Sequence, residues 1–131
     1  MKITGRVINS GDVRGTAVVL DGPFSFIGDF DAASGTLVME GHPLHGETIA
    51  GKILVCSTGK GGTIAPFIAY QAKLAGTAPA AILCEKADPI LCECALVIDI
   101  PILDGFDPAP AASIATGQQV SIEGAEVGIE E

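Results

Sequence analysis

The sequence predicts an α/β domain in which a small parallel βαβ core is joined to antiparallel strands. Two short apolar runs, KILVCS (52–57) and AAILC (80–84), read as strands buried on both faces. Between them IAPFIAYQAKLAG (64–76) places Ile64, Phe67, Ile68, Ala72 and Leu74 or Ala75 on one helical stripe. Seventeen glycines and eight prolines cut the remaining chain into short elements, which argues against a helical bundle.

The elements follow in chain order. KITGRVI (2–8) alternates and predicts a strand, and GTAVVL (15–20) predicts a second. The segment 21–35 is turn-rich but carries Phe24, Phe26 and Phe30, the pattern of a loop that packs down as a lid or cap. TLVME (36–40) is a short strand and 41–48 another turn. In the 64–76 helix Thr63 is placed as N-cap, Pro66 is tolerable in the first turn, and Gly76 stops the helix. A second helix begins at Pro89 with Asp88 as its N-cap. PILDG (101–105) is a strand, and 118–131 reads as a hairpin-like pair. With 131 residues, 48% of them hydrophobic, the chain suits a single domain over 1–131 with one core.

Seven basic against sixteen acidic residues give a net charge of −9, which disfavours nucleic acid or an anionic membrane as partner. No apolar run reaches bilayer length and the N-terminus has no signal-peptide core, so a cytoplasmic protein is expected. Cys56, Cys84, Cys92 and Cys94 are read mainly as small buried residues. A thiolate site built from Cys84, Cys92 and Cys94 stays open as an alternative. His42 and His45 lie three residues apart in a loop, with no second ligand cluster to make a metal site.

The chemistry concentrates in STGKGGT (57–63), where a buried strand turns into a helix. Such a turn offers unpaired backbone N–H groups and the positive helix end, and glycines let an anion approach closely. Lys60 adds a cation. Ser57, Thr58, Gly59, Lys60, Gly61 and Gly62 are therefore the candidate ligand-binding residues, for a phosphate or carboxylate. A P-loop is excluded because Leu54 and Gly61 stand where it needs Gly and Ser or Thr. The dinucleotide fingerprint fails at Ile64.

GPFSFIGDFDAASG, GHPLHGETIAGKILV, STGKGGT, GTAPAAIL and DPIL occur in the order found in aconitase X swivel domains, and the chain resembles that family from about Gly11 to Asp104. The resemblance implies a swivelling β/β/α domain that docks on a separate large aconitase X-type subunit. That subunit is expected to carry the iron–sulfur cluster and most of the site, with no cofactor in this chain. It also implies a lyase: dehydration of a small anionic hydroxy acid such as mevalonate 5-phosphate or cis-3-hydroxy-L-proline. In the family the turn carries a serine thought to be the general base, and here that position is Gly62, which can abstract no proton. Thr63, the next hydroxyl, is the candidate catalytic residue. A non-catalytic ligand-binding or regulatory module that has lost the serine is the competing reading.

Overall fold

A computed structural model describes residues 1–131. In chain order the elements are β1 (Lys2–Thr4), β2 (Arg6–Asn9), β3 (Val13–Val19), β4 (Phe30–Asp31), β5 (Thr36–Leu37), β6 (Ile53–Cys56), α1 (Ala65–Ala75), β7 (Ala81–Cys84), α2 (Pro89–Ile98), β8 (Ile102–Asp104), α3 (Pro110–Ser113), β9 (Gln119–Glu123) and β10 (Glu126–Ile129). Eight strands form one mixed sheet in the order β1-β10-β9-β3-β6-β7-β8-β2, and β4 and β5 make a separate ribbon. The centre, β3-β6-β7-β8, is parallel, and β6-α1-β7 is the expected βαβ unit.

The long strand β3 belongs to both halves of the sheet. Val13–Thr16 pair antiparallel with β9, and Ala17–Val19 pair in parallel with β6. Side chains of the parallel strands alternate between two cores, as the period of a strand requires. Leu54, Cys56, Ile82, Cys84 and Ile102 face the helices, packing with Ala69, Ala72, Cys94 and Ala95. Ile53, Val55, Ala81, Leu83 and Leu103 face the other way, packing with Val120, Ile122, Val127 and Ile3 from the antiparallel strands. The result is the β/β/α layering expected. Both runs read as buried on two faces are so, and each Leu or Ile there contributes about 1.5–3 kcal/mol.

Three expectations are corrected. The run 2–8 is two strands, because Gly5 ends β1 and the chain crosses from one edge of the sheet, beside β10, to the other, beside β8. A side chain at Gly5 would overlap the Phe106 ring. TLVME contributes only Thr36 and Leu37 as strand. The stripe assigned to α1 faces the core only in part: Ala72 is buried and Ile68 packs half-buried against it, but the other core-facing residues are Ala65, Pro66 and Ala69, while Ile64, Phe67 and Leu74 are exposed. Small residues let α1 approach the sheet and α2 closely, and that close packing outweighs the larger apolar side chains.

Asp88 does cap α2, accepting the Leu91 N–H at 3.0 Å. Gly76 ends α1 in the left-handed conformation, its N–H reaching the Ala72 and Lys73 carbonyls. The 21–35 loop packs down as expected: Phe24, Phe26 and Phe30 stack edge-to-face with centroids 5.1–6.5 Å apart and cap the helix-side core. No helix is long and apolar enough to cross a membrane.

Candidate functional site

The turn between β6 and α1 is held from two sides. The Ser57 N–H donates to the Gly22 carbonyl and the Phe24 N–H to the Thr58 carbonyl, both at 2.9 Å. The Ser57 carbonyl accepts from Glu85 and Lys86 N–H groups at 3.1 and 3.0 Å. Backbone ladders therefore fix Ser57 and Thr58, leaving residues 59–63 to project past the strand ends. Gly59 runs so close to α2 that a Cβ there would collide with the Asp88 carboxylate and lie 3.0 Å from Leu91 Cβ. Close approach of the backbone requires glycine at this position.

From Gly61 to Ile64, four successive backbone N–H groups donate to no other backbone group, while the parallel bridge of Gly59 to Phe24 turns the Lys60 N–H toward the Phe24 carbonyl. Thr63 is not the N-cap; Ile64 is, with helical φ/ψ of −94° and 0° and no side-chain cap, and Pro66 lies in the first turn. A capping side chain needs an extended backbone at the cap residue, and the chain here is already turning as helix. The Thr63 side chain is consequently exposed and caps nothing.

Lys60 does not point freely outward: its Nζ lies 2.8 Å from Asp29 Oδ2. The same oxygen accepts the Ser25 N–H at 3.0 Å. Ser25, itself buried, donates its hydroxyl to the Gly61 carbonyl at 3.2 Å and accepts the Ile27 N–H at 3.1 Å. Ser25 and Asp29 thus pin the turn from the aromatic loop. Sequence reading missed both, because they lie more than thirty residues away from Lys60 and Gly61. The available signal was a Ser and an Asp four apart in an apolar loop, where burial would demand partners.

Gly62 has φ +94°, and a Cβ built there stands 2.7 Å from Ile27 Cγ2 and 3.8 Å from Ser25 Oγ. The position is shaped for glycine, and loop 25–27 occupies the space a side chain would take.

A slot of about 10 Å³ lies beneath the turn between Phe26, Ala65, Leu91 and Cys94. That is about the space of one water and far less than a hydroxy acid needs. Any ligand of this turn must rest on its outer, open side.

The thiols do not fit a cluster or metal site. No three His, Cys, Asp or Glu residues gather around a common point. Burial and then the charge of Asp88 push the Cys56 thiol up to about 12; burial, then Glu93, does the same for Cys94. Cys84 and Cys92 are raised too, chiefly by burial. The two histidines form a local turn, in which His42 Nδ1 accepts the Leu44 N–H at 3.0 Å.

The family model described as the aconitase X swivel domain matches residues 2–130. The chain belongs to the aconitase X swivel-domain family. Among curated relatives, the phosphomevalonate dehydratase small subunit of Methanosarcina acetivorans is 37% identical over 130 residues, covering 99% of this chain and 90% of that one. The small subunit of the same name from Thermococcus sibiricus is 38% identical over 133 residues and all of both chains. Among solved structures, the holo-form of Thermococcus kodakaraensis aconitase X superposes with a TM-score of 0.92 at 34% identity, over 100% of this chain and 99% of that one. The fold expected from the family is the fold observed. Both curated relatives are dehydratase small subunits, a name that implies a large-subunit partner.

Proposed function

We propose that this chain is the swivel-domain small subunit of a hydro-lyase that removes water from a small phosphorylated hydroxy acid, with mevalonate 5-phosphate the first substrate to test. The observation that carries the reading is whole-length similarity to phosphomevalonate dehydratase small subunits. The iron–sulfur cluster is assigned to the large subunit, a reading supported by the scattered placement of the His, Cys, Asp and Glu side chains of this chain. We assign the assembly to the cytoplasm.

The role of this chain is binding and proton handling. The row of N–H groups from Gly61 to Ile64, at the positive end of α1, supports an anion site on the outer side of the turn. Ser57 and Thr58 anchor that row, and Gly59, Gly61 and Gly62 let the anion approach it. Lys60 supplies the charge, drawn from Asp29 toward the ligand. Elimination also needs a group that takes a carbon-bound proton. Thr63 is assigned that part, because its hydroxyl is exposed beside the N–H row and occupied by no capping bond.

Gly62 favours one second reading, a binding module without chemistry. Its φ of +94° and the Ile27 side chain, 2.7 Å from where a Cβ would stand, make a hydroxyl-bearing side chain there costly. Thr63→Ala in the assembled two-subunit enzyme separates the two. Loss of kcat with KM retained supports Thr63 as the proton acceptor. Unchanged turnover removes it from the chemistry and leaves this chain a binding role.

A further inference from the structure

The outer face of α1 carries side chains that a helix of a free-standing domain would bury. Ile64, Phe67, Tyr70 and Leu74 are 54%, 62%, 44% and 70% exposed, while the face against the core is built of Ala65, Pro66, Ala69 and Ala72. At about 100° per residue the four large side chains fall within one third of the helix circumference, opposite the buried alanines. The chain has six aromatic residues; the four buried ones are Phe24, Phe26, Phe30 and Phe106, and the two exposed ones both lie on this stripe. Its far end opens into a shallow groove of about 410 Å³ formed by Leu74, Ala75, Gln71, Ala32 and Ala33. Four large apolar side chains, each roughly half exposed, make a patch of a few hundred Å², the size that marks an interaction site.

The charge pattern says what sort of surface meets it. From Thr58 to Cys84 there is no Asp or Glu, although the chain has sixteen, and the charged residues of that stretch are Lys60 and Lys73. Asp29 from the aromatic loop pairs with Lys60 at 2.8 Å, so Lys73 is the cation of that stretch left without an ion pair. Apolar centres with aromatic anchors and depleted acidic groups are the composition of a stable interface core.

Position names the occupant. Ile64 directly follows Thr63, so the stripe starts at the edge of the candidate site and runs about 15 Å along α1. The turn has no cavity of its own for a substrate, so another surface must close over its outer side. A surface that does so meets Ile64 and Phe67 next.

We propose that the Ile64–Phe67–Tyr70–Leu74 face of α1 is the docking surface for the large subunit, which presents an apolar socket with a carboxylate toward Lys73. The proposal rests on the small-subunit reading above. It differs from that reading in assigning the contact to one face of one helix.

The test co-expresses the chain with the large subunit of the same organism and measures the affinity of the purified pair. Phe67→Asp and Leu74→Asp are compared with Leu96→Asp, an exposed leucine on α2. All three substitutions lie on exposed positions, and melting curves of the isolated variants establish that they fold. The expected result is a tight wild-type pair, weakened at least ~30-fold by Phe67→Asp and by Leu74→Asp, with Leu96→Asp at wild-type affinity and Phe67→Leu recovering most of the loss. Wild-type affinity in folded Phe67→Asp and Leu74→Asp overturns the docking surface and leaves the small-subunit reading intact, as does equal weakening by Leu96→Asp. A wild-type chain that forms no pair overturns the small-subunit reading itself. A wild-type chain that instead dimerises, with Phe67→Asp abolishing the dimer, gives the face to a second copy and overturns the occupant proposed.

Discussion

Gly62→Ser puts a hydroxyl in the middle of the turn, and the geometry makes that substitution costly. The φ of +94° lies in the region open to glycine, and forcing a side chain there costs about 1–2 kcal/mol in backbone strain. The new Cβ also meets Ile27 Cγ2 at 2.7 Å. Ile27 is 37% exposed and can swing aside, at an off-rotamer cost of about 0.5–1.5 kcal/mol. The sum is about 1.5–3.5 kcal/mol. A domain of this length has an unfolding entropy of about 0.28 kcal/mol/K, so Tm falls by roughly 5–13 °C. Differential scanning calorimetry of the isolated chain measures this. Adding Ile27→Ala to Gly62→Ser should recover only the contact part, about 3 °C, and leave the backbone part. A Gly62→Ser melt within about 1 °C of wild type would falsify the reasoning, since the turn would then tolerate a side chain at that position as it stands.

Asp88→Ala removes the α2 cap and should lower stability by about 1 kcal/mol, roughly 3–4 °C in Tm. Gly59→Ala drives a methyl group into the same carboxylate, so the two losses should combine to clearly less than their sum in a double-mutant cycle. At Asp104, burial alone would raise the carboxyl, but hydrogen bonds from Arg6 and the Ala87 N–H, with the charge of Arg6, hold it below the ordinary carboxylate range. A carboxyl whose folded value is depressed contributes stability above its unfolded value and loses it as pH falls through the folded one. Arg6→Ala should therefore begin acid unfolding at higher pH than wild type in a circular-dichroism titration. Identical acid midpoints would contradict the pairing. In the assembled enzyme Lys60→Ala should raise KM severalfold with a smaller effect on kcat; an unchanged KM would take Lys60 out of the anion site.

Much of this architecture is written locally. Ile53–Cys56 and Ala81–Cys84 are continuous apolar runs because both their faces are covered, and that is visible one residue at a time. Asp88-Pro89 announces the start of α2 by its own chemistry. The split at Gly5 is not local: β1 and β2 differ only in which distant strand accepts them, β10 or β8, and no periodicity within 2–8 encodes that. The α1 stripe misled for a related reason. Apolar spacing reports that a face is covered, without telling whether the cover is this chain or another, and the close packing of Ala69 and Ala72 reserves the inner face for small residues. At the turn, the glycine-rich passage from β6 to α1 was legible because a strand–turn–helix junction is a local pattern. Ser25 and Asp29 were not, because their partners Gly61 and Lys60 come from a separate loop. Thr63 looked like a cap in sequence, yet the cap position falls one residue later, at Ile64, where the backbone is already helical.

The most direct measurement is steady-state dehydration of mevalonate 5-phosphate by the purified two-subunit complex, with its iron–sulfur cluster loaded, beside each subunit alone. Turnover by the complex and none by either chain separately is the expected result. A loaded complex that leaves mevalonate 5-phosphate unchanged, or a large subunit equally active without this chain, would contradict the assignment of this chain as a dehydratase small subunit.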